Sequence, residues 1–373
     1  MIPTEKSLAE CVQRHVETVR IALERSSPDD AVALARVARD LRNVPPSVHS
    51  EGQLFALAGI CRYFQQPDRD NADGLEAAVL LGKRALALGR PAERLSALMN
   101  QALIHDELDS HLEALEAYAE ARGVAADLGR RRAEVAVLVM AAQALRQCGE
   151  PASAKELATN ALAIADQTSG VDDLCTIAWT TIAQWHLCSE EVEAGLAAVR
   201  HARASSGADV DPGLVATLDF TETMLRLLAG DTERVSQVLD ALERHARANG
   251  TIGAALAHTA ARGARDVVGG RSGGRVRLVT ALEKARRVPR ALPDILMAAL
   301  VAEAATGDGQ RATQLRDELT ALFLARRTNG QLKATLMRGP IVGFGSLGKA
   351  FDTRAYERRF DRALRQLQAR AAS

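Results

Sequence analysis

Aromatic side chains are scarce in this 373-residue chain, at 3% of the whole: seven Phe, three Tyr and two Trp. Sheets draw on aromatic and β-branched residues, so the shortage disfavours them. The 47% hydrophobic content is mostly Ala, Leu and Val, which suits close packing of helices. The expected class is all-α. Paired cysteines are also missing: Cys11, Cys61, Cys148, Cys175 and Cys188 stand singly, odd in number and without a C-x-x-C. That spacing supports neither a disulfide framework nor a structural zinc site, and the five read as reduced core thiols. No segment approaches the ~20 apolar residues of a membrane span. The opening MIPTEKSLAECVQRHV holds no apolar run of signal-peptide length, so the expected compartment is the cytoplasm.

Net charge is absent too, with 47 Lys plus Arg against 47 Asp plus Glu, but the charges are unevenly placed. From Arg326 onward there are eleven bases and three acids, a surplus of eight that the preceding part balances. Such a basic segment suits nucleic acid, an anionic membrane or an acidic partner; it is equally the pattern of a solvated Arg-rich helix face.

What is present is a repeat. From Leu98 to Gly129 the chain reads as one helical hairpin, with Leu98 and Ala102 on a first helix, a polar turn at Asp109 and Ser110, and Ala114, Tyr118 and Ala121 on a second. Positions i, i+4 and i+7 mark a helix stripe. The pattern returns as Leu138, Ala142 and Leu145 followed by Ala154, Ala158 and Ala161, and again as Ala178, Ile182 and Trp185 followed by Ala194, Ala198 and His201. Ala114, Ala154 and Ala194 are each forty residues apart. Weaker hairpins precede it, one from Glu5 to the double proline at Pro45-Pro46 and one from Glu51 to Gly89. Beyond Gly207 the signature thins, although helices are expected over 214–229, in two pieces of 251–288 around GGRSGG, and from Pro293 to about Phe323.

These hairpins resemble tetratricopeptide repeats, in the arrangement of large and small residues at Leu98, Ala102, Ala114, Tyr118 and Ala121 and in the recurring turns Gly149-Glu150, Gly230-Asp231 and Gly307-Asp308. The step of about forty exceeds the family's 34, as in the extended repeats of MalT-like bacterial regulators and kinesin light chains. The Trp, Gly and Tyr of the first helix and the closing proline are mostly missing. The resemblance implies a right-handed α-solenoid of antiparallel helix hairpins over residues 1–323. A basic, glycine-rich connecting segment over 324–352 and a basic capping helix over 353–373 would follow. It also implies a groove lined by first helices, and by position places Met99, Leu103, Asp106, Gln143, Arg146, Trp179, Ala183 and His186 there. Trp179 and Trp185 equally read as fillers among so many alanines. The family's carboxylate-clamping Lys and Asn are not matched, since Met99 and Leu103 stand in those places.

GPIVGFGSLGKAF, residues 339–351, contains G-x-G-x-x-G at Gly343, Gly345 and Gly348, and with Lys349 approaches a P-loop. Pro340 leaves almost no preceding strand, and Ala350 occupies the place of the Mg²⁺-binding hydroxyl. A glycine loop is the plainer reading. Arg271, Arg275 and Lys349 stand as candidate anion contacts in glycine-rich surroundings. The eight histidines show no metal-binding spacing, no G-x-S-x-G elbow is present, and no catalytic residue, cofactor or metal is expected. The expected function is a non-catalytic scaffold or sensor binding a protein or peptide in its groove. The alternative is a regulator whose groove senses a ligand while the basic C-terminal segment contacts nucleic acid or an acidic effector.

Overall fold

In the computed structural model, residues 91–107, 110–207, 210–288, 291–338 and 353–369 are described, and no strand occurs among them. The hairpins expected between residues 5 and 89 lie outside that set. Thirteen helices are defined: α1 (Pro91–Glu107), α2 (His111–Asp127), α3 (Arg131–Gln147), α4 (Pro151–Ala165), α5 (Asp172–Cys188), α6 (Val192–Ser205), α7 (Pro212–Leu228), α8 (Thr232–Asn249), α9 (Ile252–Val268), α10 (Gly274–Ala285), α11 (Leu292–Ala305), α12 (Gly309–Arg338) and α13 (Thr353–Gln368). The first helices α1, α3, α5, α7, α9 and α11 begin at a step of 40 or 41 residues. The period therefore holds well past Gly207, where the small-residue signature fades.

The turn inside each hairpin explains this regularity. At the ends of α3, α5, α7, α9 and α11 the same pair of backbone bonds closes the helix, as in Gly149 N–H to the Arg146 carbonyl and Glu150 N–H to the Leu145 carbonyl. This is a Schellman cap, and it needs a left-handed residue just past the helix. Gly149, Gly230, Gly270 and Gly307 supply it with φ between 65° and 81°. In the remaining hairpin Glu190 does so at φ 59°, where a Cβ is strained. Other ends are fixed by side chains: the Asp211 carboxylate accepts from Gly213 N–H with Pro212 in the first turn, and Thr251 accepts from Ala254 N–H.

The chain divides into two compact units, Met1–Ala144 with Arg327–Ser373, and Leu145–Arg326. In the first, α1 and α2 form a hairpin, and Leu98, Ala102, Ala114, Tyr118 and Ala121 are all buried. Helix α2 buries residues on nearly every side, which an isolated hairpin could not arrange. The second cover is α13, whose Phe360, Ala363 and Leu367 are buried at i, i+3 and i+7. Arg359 donates to both oxygens of Glu116 at 2.8 and 2.5 Å, and buried Arg122 donates to the carbonyls of Gln366 and Leu367 that end α13. A cation at a helix C-terminus also opposes the helix dipole.

In the second unit, α4 packs on α5, and the hairpins α5–α6, α7–α8 and α9–α10 follow one another. The first helices also touch each other, α5 on α7, α7 on α9 and on α11, and α9 on α11, giving a continuous inner layer. Small residues make the close approach possible: Ala178, Ala198, Ala202, Ala260, Ala264 and Ala281 are all buried.

The forty-residue ruler slips once. Ala194, the expected counterpart of Ala154, is exposed, while Gly195, Ala198, Val199 and Ala202 are the buried stripe of α6. A Cβ on Gly195 would stand 2.7 and 2.9 Å from the two Leu225 methyls. The connection from α4 to α5, residues 166–171, is longer than the 128–130 connection from α2 to α3, and it shifts the register by one.

Replacing Glu190 by glycine relieves the left-handed strain and gives up an exposed ion pair to Arg316 that is worth little. Glu190→Gly is expected to raise stability by about 0.5–1 kcal/mol in urea unfolding at unchanged m. A midpoint at or below that of the parent would show that the turn carries no strain.

Candidate functional site

The inner layer of the second unit encloses a cavity of about 60 Å³. Its walls come from the end of α3 (Arg146), from α4 (Pro151) and from α5 (Gln184, Leu187, Cys188). They are completed by α7 (Phe220, Thr221), α11 (Pro293, Asp294, Met297) and α12 (Leu319, Phe323). The last helices of this unit thus come back to its first residues. Phe323 lies so close over Gly149 that a Cβ there would fall 2.7 Å from its own. Most of the wall is apolar, and the Arg146 guanidinium and Asp294 carboxylate meet at 3.7 Å, both partly exposed. The volume holds about four or five water-sized positions, the space of one aliphatic or small aromatic side chain.

Of the eight groove residues expected by resemblance, Arg146 lines this cavity. Met99, Leu103, Asp106 and Gln143 belong to the first unit and are partly exposed, the Asp106 carboxylate lying 3.0 Å from His111 Nδ1. Trp179 stacks on His201 of α6 with ring centroids 4.5 Å apart, His186 Nδ1 lies 2.8 Å from Glu191, and Ala183 is fully buried. Trp179 and His186 therefore turn toward the second helix and turn of their own hairpin. The reason is the register slip. One residue rotates a helix face by about 100°, so Gln184 and Leu187, not Ala183 and His186, take the places equivalent to Gln143 and Arg146. Trp185 faces the other way, under the Lys155 ammonium 3.4 Å from its ring.

The candidate anion contacts are engaged by carboxylates. Asp266, 2% exposed, is ringed by Arg265 at 2.7 Å, Arg271 at 3.6 Å and Arg277, and Arg275 meets Glu303 at 2.7 Å and Asp308 at 3.6 Å. The glycines of this stretch answer to packing. A Cβ on Gly274 would stand 2.7 Å from Val267 N and 2.9 Å from the Asp266 carbonyl carbon, so this glycine lets α10 start against the end of α9. Lys349 and the 339–351 motif lie outside the described residues.

A second charged cluster ties α6, α7 and α8 together. Asp219, fully buried, takes Arg203 at 2.6 Å on one oxygen and His245 Nδ1 at 2.6 Å on the other, and Glu222 joins Arg203 to Arg226. Burial alone would lower the Arg203 pKa, but the hydrogen-bonded Asp219 and Glu222 hold it above the ordinary value. Sequence spacing did not reveal this cluster, because its members sit on three helices.

Burial, then Asp172, Asp166 and Asp173, push the Cys175 thiol up, which disfavours its thiolate form. Among the described residues no group of three His, Cys, Asp or Glu could hold a metal ion, and no helix is long and apolar enough to cross a membrane.

No family model matches the chain, and no curated protein matches it in sequence. Among solved structures it is similar to a Rap protein complexed with competence and sporulation factor. The TM-score is 0.62 at 12% identity, covering 88% of this chain and 89% of that one. At that identity the likeness is one of fold. The chain has an all-α, tetratricopeptide-like solenoid fold of antiparallel helix hairpins.

Gly274→Ala is expected to cost about 1–3 kcal/mol, because the obstructing atoms are backbone. Thermal unfolding at the parent's Tm would show that α9 and α10 can part freely.

Proposed function

We propose that this chain is a non-catalytic scaffold that binds a peptide or protein partner, and that the cavity of the second unit receives an apolar anchor side chain of that partner. The observation that carries this reading is the cavity itself: a small, mostly apolar recess on the inner layer of first helices, with one loosely held Arg–Asp pair on its wall. Such a recess rewards burial of a single anchor, and the rigid hairpins around it reduce the entropy lost on binding. The charged pair offers a hydrogen-bonding group of each sign to the backbone beside the anchor. The similar Rap protein, whose structure holds competence and sporulation factor, lends the reading support by analogy.

Selection of peptides from a displayed library against the full chain tests it. Met297 is half-buried on the cavity wall, so Met297→Trp fills the recess. The selected peptides are expected to bind this variant about tenfold more weakly or worse, with the parent's Tm nearly kept. Trp179→Ala is expected to lower Tm at unchanged peptide affinity, since its ring packs on His201. Peptides that bind Met297→Trp as tightly as the parent would remove the cavity from the proposal, and a parent that enriches no peptide would remove the peptide itself.

A further inference from the structure

Among the described residues of the second unit ten polar or charged side chains are buried, and nine of them make hydrogen bonds. The threonines of α5 and α7 donate to carbonyls one turn back, as Thr180 does to Thr176 at 2.7 Å and Thr221 to Thr217 at 2.9 Å. Asp219, Glu222, Asp266 and Glu303 each accept from an arginine. The tenth is Gln184. It is 9% exposed, lines the recess, and bonds to no group among the described residues. Neither of its amide atoms is sealed in the core, so the recess is the side from which a partner can reach them.

A polar group buried without a partner is costly, and a ligand that supplies the partner recovers that cost on binding. Whichever way round the Gln184 amide stands, it presents a donating NH₂ beside an accepting oxygen. Thr221 adds an acceptor, because its hydroxyl hydrogen is committed to the Thr217 carbonyl. The other walls at this depth are apolar: Leu187, Phe220, Met297 and Phe323. Arg146 and Asp294 are more exposed than Gln184 and face each other, so they stand nearer the mouth.

We infer that the recess selects a carboxamide side chain of the partner, Asn or Gln, which pairs its amide reciprocally with Gln184 while its methylenes lie against Leu187, Phe220 and Met297. The inference rests on the reading that the recess receives an anchor, and it adds what the anchor carries at its end: an apolar stem with a polar tip. A carboxamide matches Gln184 with a donor and an acceptor side by side, and its second hydrogen suits Thr221. A hydroxyl gives one hydrogen, a carboxylate gives none, and an aliphatic tip leaves Gln184 unpaired. Size agrees as well. The volume of about 60 Å³ holds about four or five water-sized positions, and the side chains of Asn and Gln have that many heavy atoms.

The test uses peptides selected from a displayed library against the full chain. Their anchor is the position whose replacement by alanine removes the difference in affinity between the parent and Met297→Trp. That position is expected to hold Gln or Asn. Synthetic peptides are then compared on the parent with Gln, Met or Glu at the anchor, three side chains of similar length, so this series depends on the folding of no variant. Met and Glu are each expected to bind about tenfold more weakly or worse, since a site built to hydrogen-bond rejects the analogue that lacks the bond. Gln184→Met removes the unpaired amide at nearly constant volume and is expected to keep the parent's Tm and invert the order, with the Met peptide binding more tightly than the Gln peptide. Met binding the parent as tightly as Gln would overturn the inference and leave the recess as an apolar anchor site. Glu binding more tightly than Gln would overturn it by assigning the anchor to Arg146. A parent that enriches no peptide would remove the underlying reading, and the inference with it.

Discussion

Everything in the second unit depends on how closely adjacent helices approach, and that approach is set by a turn. Each Schellman cap ends a first helix at a left-handed residue and sends the chain back at a fixed angle. Alanine and glycine at the contact then let the returning helix settle against its partner. Where a Cβ would intrude, as at Gly195 beneath Leu225 or Gly274 against Val267, glycine stands. With the turn and the small contact both repeated, a hairpin length of forty residues becomes a geometric period. The larger side chains can then vary without disturbing the path of the chain, which is why the array outlasts its own sequence signature.

The same dependence explains what was legible in the sequence. Helix class, hairpin boundaries and the forty-residue step follow from the spacing of Ala114 and Ala154 and from the Gly149, Gly230 and Gly307 turns, because those residues act locally. The orientation of α5 and α6 does not. It rests on an extra residue in the connection at 166–171, whose effect is to rotate a whole helix face, and no stripe of alanines announces it: Ala194 continues the forty-residue spacing and is nevertheless exposed. The Asp219 and Asp266 clusters were illegible for a different reason. Each draws its bases from other positions than a helix stripe would pair, and Arg203, Asp219 and His245 lie on three helices.

Those clusters also bear on where charge is available. A carboxylate as buried as Asp219 or Asp266 is tolerable because several donors surround it, and the loss of any one donor is cushioned by the others. The arginines in them are consequently structural, even where their outer atoms reach water. Counting arginines near glycine suggests an anion site at 269–275; following each guanidinium to its carboxylate assigns the same residues to the seam between α9, α10 and α11. The basic C-terminal helix behaves alike at Arg359, which is held by Glu116.

The inner surface of the second unit is smaller than a run of hairpins would suggest, and the reason is internal. Helix α7 reaches α11 as well as its nearer neighbours, and α12 brings Leu319 and Phe323 against residues at the end of α3 and in α5. A wide groove recognises an extended peptide through many shallow contacts. A recess closed to a single side chain instead places most of its discrimination on the shape of one anchor, since the surrounding contacts exclude water more than they add energy. The wall supports that division. Leu187, Phe220, Met297 and Phe323 offer shape and burial, whereas Arg146 and Asp294 face each other at a distance long enough to admit competition for either partner.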